Sequence, residues 1–174
     1  IRSKVIMISH LLIKYQCMCI VYISMAEKKF TVLDLLELDL QDHDALELKC
    51  IAGRRGLPKE LIVSDINRPG LALSGFFDSF AYQRVQLFGR GEVAYLNKLK
   101  SENRIDTIKQ FFEYDIPCCV FSHDRTPSEE FIQIAEEACC SILQTSLEST
   151  VFSSRLIRAF SNIFAPRKTL HGVL

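Results

Sequence analysis

The stretch that decides the fold class runs from residue 84 to residue 145: RVQLFGRGEVAYLNKLKSENRIDTIKQFFEYDIPCCVFSHDRTPSEEFIQIAEEACCSILQT. Short apolar runs typical of buried strands lie at Val85–Phe88, Cys118–Phe121 and Ile142–Thr145, and segments of helical periodicity separate them. Strands that alternate with helices are joined by crossovers and form a largely parallel sheet with helices packed on it. The sequence therefore predicts an α/β fold with a mostly parallel sheet and flanking helices.

Two helices are predicted between the first two of these strands, and a third follows the second strand. Gly91–Leu99 is helical, and a further helix opens at Ser101. The tetrapeptide Thr126-Pro127-Ser128-Glu129 indicates a helix start, with Thr126 as the N-cap, proline at the first position and glutamate at the third.

The N-terminal half has a mixed pattern. Thr31 with Asp34 predicts a helix start, and the alternation over residues 46–50 predicts a half-buried strand. Residues 61–66 form a second extended run, and Asn67-Arg68-Pro69-Gly70 fits a type II turn.

A last helix is predicted over about Thr150–Phe164. Its apolar stripe has the spacing of core or interface packing and consists of Phe152, Leu156, Phe160 and Ile163.

Composition bounds the class of protein. The chain has 174 residues, of which 48% are apolar, and 21 basic residues balance 21 acidic ones. This length suits one well-filled core, and the charge balance argues against a nucleic-acid stripe or a polybasic membrane patch. An aromatic content of 10% argues against disorder.

The first 24 residues differ from the rest, because they hold three basic residues, no acidic residue and 16 apolar residues. Three origins are open: upstream sequence translated in error, a signal or anchor, and a genuine extension. Lys14 interrupts the apolar run, and the run MAEKKF from Met25 onward is typical of an ordinary protein start. We expect residues 1–24 to lie outside the fold, residues 25–165 to form the domain, and residues 166–174 to begin another.

The cysteines outside that leader are Cys50 and the pairs Cys118-Cys119 and Cys139-Cys140. They lie in apolar runs, and they show no C-x-x-C spacing and no neighbouring histidine cluster. We therefore expect buried structural thiols, no metal site in this chain, and a reducing cytoplasm.

Two local patterns are candidates for chemistry. Gly89–Ala94 fits G-x-G-x-x-A between a strand and a helix, as in dinucleotide sites, but Arg90 and Glu92 would crowd a phosphate. A plain strand-to-helix turn is the favoured interpretation. His123-Asp124-Arg125 follows a strand, and a surface loop is the favoured interpretation there, because no nucleophile is evident nearby.

Several blocks of the sequence resemble one family. They are residues 64–77 (SDINRPGLALSGFF), residues 84–89 (RVQLFG) and residues 169–174 (TLHGVL). In this order and spacing they are similar to the N-terminal domain of the bacterial HPr kinase/phosphorylase family, over about Phe30 to Leu174.

The resemblance implies a parent enzyme that phosphorylates a serine of the phosphocarrier HPr with ATP or pyrophosphate, and that removes the phosphate by phosphorolysis in carbon metabolite control. It implies Mg dependence, a cytoplasmic location, homo-oligomers that are typically hexameric, and no nucleic-acid or membrane partner. The N-terminal domain would be an α/β unit similar to the first domain of muramyl-ligase enzymes.

The family's chemistry lies in the domain that begins around the His-Gly-Val-Leu motif, so the resemblance carries one catalytic role over, to His171. The phosphate-binding loop would come after Leu174, and this chain would be an inactive regulatory or assembly domain, with no cofactor-binding or metal residue of its own. The alternative is a free-standing module, either one that binds a small ligand at the Gly89 turn or one that oligomerises through the stripe in Thr150–Phe164.

Overall fold

The computed structural model describes residues 29–42 and 45–164, so the leader and residues 166–174, His171 among them, lie outside the described part. The strands are β1 (Leu48–Ala52), β2 (Ile66–Asn67), β3 (Val85–Phe88), β4 (Cys118–Phe121) and β5 (Ser141–Thr145). The helices are α1 (Val32–Gln41), α2 (Gly70–Leu73), α3 (Arg90–Ser101), α4 (Ile105–Phe112), α5 (Glu129–Glu137) and α6 (Ser149–Ile163).

The five strands form one sheet in the order β1-β5-β4-β3-β2. Strands β2 to β5 are parallel to their neighbours, and β1 pairs with β5 in the antiparallel direction. The predicted α/β fold with a mostly parallel sheet and flanking helices is confirmed.

Helices cover both faces of the sheet. Alternate residues of β4 face opposite sides, so Cys118 belongs to one apolar core and Cys119 to the other. Helices α2 to α5 build the core around Cys119, which is rich in phenylalanine. Helices α1 and α6 build the core around Cys118.

The stripe on α6 belongs to this second core. Phe152, Leu156 and Phe160 are fully buried against the sheet, and Ile163 packs at the margin. Of the two interpretations that the sequence left open, core packing is therefore correct. Phe152, Leu156 and Phe160 therefore have no exposed surface to offer to a second copy of the chain.

The chain crosses the amino edge of the sheet between β1 and β2. Gly53 makes the crossing with φ of 68°, and a Cβ atom there would lie 2.0 Å from the carbonyl oxygen of Cys140. Lys59 lies along the same edge and donates to the carbonyl oxygens of Ile116 and Ala138 at 3.1 and 3.4 Å. These bonds fix the crossing segment under β4 and β5.

The predicted start of α1 is confirmed. Thr31 caps the helix in a reciprocal capping box with Asp34, as the sequence indicated. The nearby chain is fixed as well, because the carbonyl oxygen of Phe30 accepts from the amide of Leu61 at 2.8 Å.

Three local predictions were wrong. Pro69 has φ of −80° and ψ of 21°, and Gly70 opens α2, so the Pro-Gly pair starts a helix instead of forming a type II turn. Ser128 caps α5 by accepting from the Phe131 amide, two residues after the predicted cap at Thr126. Ser101 ends α3 and does not open the next helix.

Candidate functional site

The carboxyl ends of the parallel strands bring four polar or small residues together. Arg68, Gly89 and Ser122 directly follow β2, β3 and β4, and Ser149 opens α6 beside them. The carboxyl edge of a parallel sheet is where α/β proteins bind their ligands. This cluster is therefore the first place to look for a site.

The side chain of Glu92, in the first turn of α3, caps the N-terminus of that helix at Gly89. The Glu92 carboxylate accepts from the Gly89 amide at 3.0 Å. The Arg68 guanidinium holds the same carboxylate by two bonds, from Nε to Oε1 at 3.0 Å and from Nη2 to Oε2 at 2.7 Å. A negative group thus already lies where a phosphate would meet the helix N-terminus.

The pKa of the Glu92 carboxyl is consistent with this arrangement. Burial is the largest influence and acts to raise the pKa of this carboxyl, but hydrogen bonds from Arg68 and from the backbone amides of Glu92 and Gly89, with the charge of Arg68, lower the pKa below its usual value. The carboxylate is therefore ionised at neutral pH and repels a second anion.

There is also no room at Gly89. A Cβ atom there would lie 2.7 Å from both Arg68 Nη2 and Ser149 Oγ. The turn is a tight junction between β3, α3 and α6, which confirms the plain strand-to-helix turn.

The two serines are hydrogen-bonded to each other. The Oγ atoms of Ser122 and Ser149 lie 2.7 Å apart, and Ser122 Oγ also donates to the carbonyl oxygen of Phe88 at 3.2 Å. In residues 29–42 and 45–164, neither hydroxyl is bonded to a histidine that could act as a base. The bonds of this pair therefore belong to the junction between β3, β4 and α6.

The loop His123-Asp124-Arg125 has a structural role. His123 and Asp124 have φ of 60° and 53°, and their amides donate to the carbonyl oxygens of Leu147 and Thr145 at 3.0 Å each. The loop therefore ties the ends of β4 and β5 together, in agreement with the favoured interpretation.

The Asn-Arg-Pro-Gly block is also used internally. Asn67 Nδ2 donates to Oε1 of the buried Gln86 at 2.8 Å, and Gln86 Nε2 donates to the carbonyl oxygens of Ala81 and Arg84. The polar groups of Asn67 and Arg68 thus fasten β2 to β3 and α3. Sequence reasoning missed both partners, because they lie 19 and 24 residues further along the chain.

The prediction of buried structural thiols is confirmed for three of the five cysteines outside the leader and is wrong for Cys139. Cys118, Cys119 and Cys140 are buried, Cys50 is half-buried, and Cys139 is exposed. Burial raises the pKa of the Cys118 and Cys119 thiols well above the usual value. Cys119 and Cys140 touch at an Sγ–Sγ distance of 3.9 Å as free thiols.

Away from the carboxyl edge, the described residues form no metal site but do line a cavity. Among the described residues, no three His, Cys, Asp or Glu side chains are placed to hold a metal ion. A cavity of about 620 Å³ opens beside α5, and its lining includes Arg54, Arg55, Glu136 and Glu137. None of the helices in the described ranges has the length and apolarity to cross a membrane.

These features define an α/β domain whose carboxyl edge is closed by its own side chains. A family model described as HPr Serine kinase N terminus matches residues 31–160. The chain therefore belongs to the HPr kinase/phosphorylase family, through the N-terminal domain of that family.

Two relatives support this family assignment. The chain is 55% identical over 140 residues to the HPr kinase/phosphorylase of Treponema pallidum, which covers 80% of this chain and 44% of that protein. It is 37% identical over 139 residues to the HPr kinase/phosphorylase of Leptospira biflexa, which covers 80% and 43%. The chain thus spans less than half the length of these relatives.

Among solved structures, the regulatory region of Clostridium perfringens pyrophosphatase is similar at a TM-score of 0.46 and 14% identity. The match covers 80% of this chain and 55% of the other.

Proposed function

We propose that this chain is the regulatory or assembly N-terminal domain of an enzyme that phosphorylates a serine of HPr and removes that phosphate by phosphorolysis. The observation that carries the proposal is the family match over residues 31–160, joined to relatives that bear the name HPr kinase/phosphorylase. The alternative of a free-standing ligand-binding module is less favoured, because Glu92 fills the Gly89 turn.

The domain itself does not transfer phosphate in this proposal. Phosphoryl transfer depends on a metal ion and cationic side chains that surround the transferred group. The described residues do not fit this requirement, because they provide no metal-ligand cluster and their one phosphate-like turn holds a carboxylate. ATP or pyrophosphate and Mg would bind in the remainder of the parent enzyme.

His171 is proposed as an active-site residue of that remainder. A histidine beside a phosphate can supply positive charge or carry a proton, because its pKa lies near neutrality. HPr as the phosphorylated partner, a homo-hexameric parent and a cytoplasmic location complete the proposal.

The first experiment tests whether this chain itself transfers phosphate to HPr. The purified chain is incubated with HPr and Mg-ATP, and phosphoserine on HPr is measured by mass spectrometry, with the full-length Treponema pallidum relative as the positive control. We expect phosphorylation by the relative alone. Phosphoserine produced by the chain would overturn the non-catalytic assignment.

A chimera tests whether the domain serves such an enzyme. Residues 29–174 replace the corresponding part of the Treponema pallidum relative, and HPr phosphorylation is measured. We expect activity to be retained, and His171→Ala in the same chimera to lower kcat by about 100-fold or more. A folded but inactive chimera, or an active His171→Ala variant, would contradict the respective assignment.

A further inference from the structure

The cavity beside α5 is lined by two separate parts of the chain. Residues 51–55 come from the end of β1 and the segment after it, and residues 133, 136 and 137 come from α5. We name the space that they enclose the mixed-charge cavity. Its volume of about 620 Å³ lies within the range of about 300–1,000 Å³ that is usual for pockets that hold small molecules.

The charged groups of the mixed-charge cavity do not neutralise one another. Within residues 29–42 and 45–164, neither Arg54 nor Arg55 forms an ion pair with a carboxylate. Glu136 accepts from the Gly53 amide at 3.3 Å, whereas Glu137 forms no ion pair in the same ranges. Both signs of charge are therefore available to a molecule that enters the cavity.

The backbone that carries the two arginines is fixed at both ends. Gly53 and Gly56 flank them, and a Cβ atom on these glycines would lie 2.0 Å from the carbonyl oxygen of Cys140 and 2.5 Å from that of Cys139, respectively. The Ser141 hydroxyl also donates to the Gly53 carbonyl oxygen at 3.1 Å. Because the link between α5 and β5 holds this segment in place, a ligand does not have to order it on binding.

The backbone that carries the two glutamates is tied to the same link. The amides of Cys139 and Cys140 donate to the carbonyl oxygens of Glu136 and Ala135 at 3.1 and 2.8 Å, which closes the end of α5. The positive and the negative part of the lining are thus both anchored at residues 139–141. The fold therefore sets the positions from which the two signs of charge reach into the cavity.

This lining disfavours a ligand that carries only one sign of charge. A pure anion would lie close to Glu137 and a pure cation close to the arginines, and like charges brought together weaken binding. A molecule with both a carboxylate and an ammonium group avoids this cost, and guanidinium groups bind carboxylates by paired hydrogen bonds. Ile51 and Ala52 are half-buried and give the lining an apolar part.

We propose that the mixed-charge cavity binds a free α-amino acid with an apolar side chain. The carboxylate of the ligand pairs with Arg54 and Arg55, and its ammonium group pairs with Glu137. The ligand side chain lies against Ile51 and Ala52. The inference goes beyond the proposed function, because it concerns a ligand of this domain and not the phosphoryl transfer of the parent enzyme.

Analogues of one amino acid test the proposal on the full chain without any substitution. L-leucine is the probe, and binding is measured by titration calorimetry and by the rise in melting temperature. L-leucinamide lacks the carboxylate, N-acetyl-L-leucine lacks the ammonium group, and both keep the apolar side chain. We expect L-leucine to bind with a Kd of about 1 mM or lower, and each analogue to bind about tenfold more weakly or worse.

Two variants assign the charged groups. Arg55→Gln should weaken L-leucine binding about tenfold and reduce its preference over L-leucinamide, and Glu137→Gln should do the same for N-acetyl-L-leucine. Both side chains are exposed, so both variants should keep the wild-type circular dichroism and the melting temperature of the ligand-free chain. Arg90→Gln and Glu130→Gln remove the same charges from exposed positions outside the cavity and are the matched controls.

Three results would overturn the amino-acid site: no saturable binding of L-leucine, L-valine or L-phenylalanine up to about 10 mM, equal binding of L-leucine and both analogues, or variants that bind L-leucine like the wild type. These measurements are independent of the HPr phosphorylation assay of the chimera. Loss of that activity with L-leucine binding intact contradicts the enzyme assignment, and the reverse result contradicts the amino-acid site alone.

Discussion

The carboxyl edge of the sheet and the exposed turn that holds Leu71 and Phe76 differ in how far their side chains are covered by the rest of the fold. At the carboxyl edge, Arg68, Glu92 and the two serines Ser122 and Ser149 bond to one another and to backbone. On the exposed turn, Leu71 and Phe76 face solvent, with 71% and 50% of their surface exposed.

The two regions differ in their capacity to bind a partner. Position in the fold points to the carboxyl edge, because parallel α/β proteins usually bind ligands there. The contacts point elsewhere, because a surface with exposed apolar groups gains free energy when a partner covers it, and a saturated polar junction does not.

The largest effect on the free energy of unfolding is expected when a buried phenylalanine is truncated. Phe131 is fully buried, and its ring meets those of Phe88, Phe112 and Phe121 at 5.1 to 5.6 Å. Phe131→Ala should lower the free energy of unfolding by about 3–5 kcal/mol, measured by urea denaturation.

Phe76→Ala is the matched control at a half-exposed phenylalanine, and it should change the free energy of unfolding by less than about 0.5 kcal/mol. A large loss at Phe76 would mean that this ring stabilises the fold in spite of its exposure.

A smaller effect is expected at the closed edge. Glu92→Gln keeps the shape of the side chain but removes the charge that Arg68 and the Gly89 amide hold. We expect a loss of about 1–2 kcal/mol at pH 7 by urea denaturation, against almost none for the exposed Glu37→Gln.

The pH dependence of this loss has a defined sign. The pKa of Glu92 is lowered in the folded state, so between the folded pKa and the usual value near 4.5 the unfolded chain binds more protons. The Glu92 contribution is fully present above that usual value and is lost as the pH falls through the folded pKa. The difference between wild type and Glu92→Gln should therefore shrink in acid, and a constant difference would contradict the ion pair.

The smallest of these effects tests the fit at the junction. Gly89→Ala should cost about 1 kcal/mol, because the new methyl displaces Arg68 Nη2 and Ser149 Oγ. Gly91→Ala, two residues on, meets no atom within 4 Å and should be neutral or slightly stabilising by thermal melting. Equal melting temperatures for the two variants would show that the junction adapts without strain.

Local patterns predicted much of the fold. The apolar runs at β3, β4 and β5 and the capping box at Thr31 carry their signal within a few residues, and the structure confirms them. Local patterns could not decide which residue is the N-cap of α5, because Thr126 and Ser128 are both of a type that caps helices well. In the fold Ser128 accepts from the Phe131 amide, whereas the Thr126 hydroxyl accepts from Gln144 Nε2 at 3.1 Å.

The closed edge was beyond sequence reasoning. Arg68 with Glu92 and Ser122 with Ser149 are separated by 24 and 27 residues, so only the folded sheet brings them together. The G-x-G-x-x-A pattern indicated that Glu92 would crowd a phosphate, but it gave no sign that Arg68 would hold the carboxylate. The exposure of Leu71 and Phe76 also depends on the fold, since apolar residues are usually buried.

The two ends of the described chain meet at one corner. The rings of Phe30 and Phe164 lie 5.9 Å apart, edge to face, where the α1 and α6 layer closes. Adjacent ends allow a domain to be inserted into a host polypeptide or circularly permuted without strain in the flanking chain. A gene that joins residue 164 to residue 29 through a short glycine linker and opens in the exposed turn at Gly75 should therefore encode the same fold. In that form the domain could be moved between host proteins as a cassette.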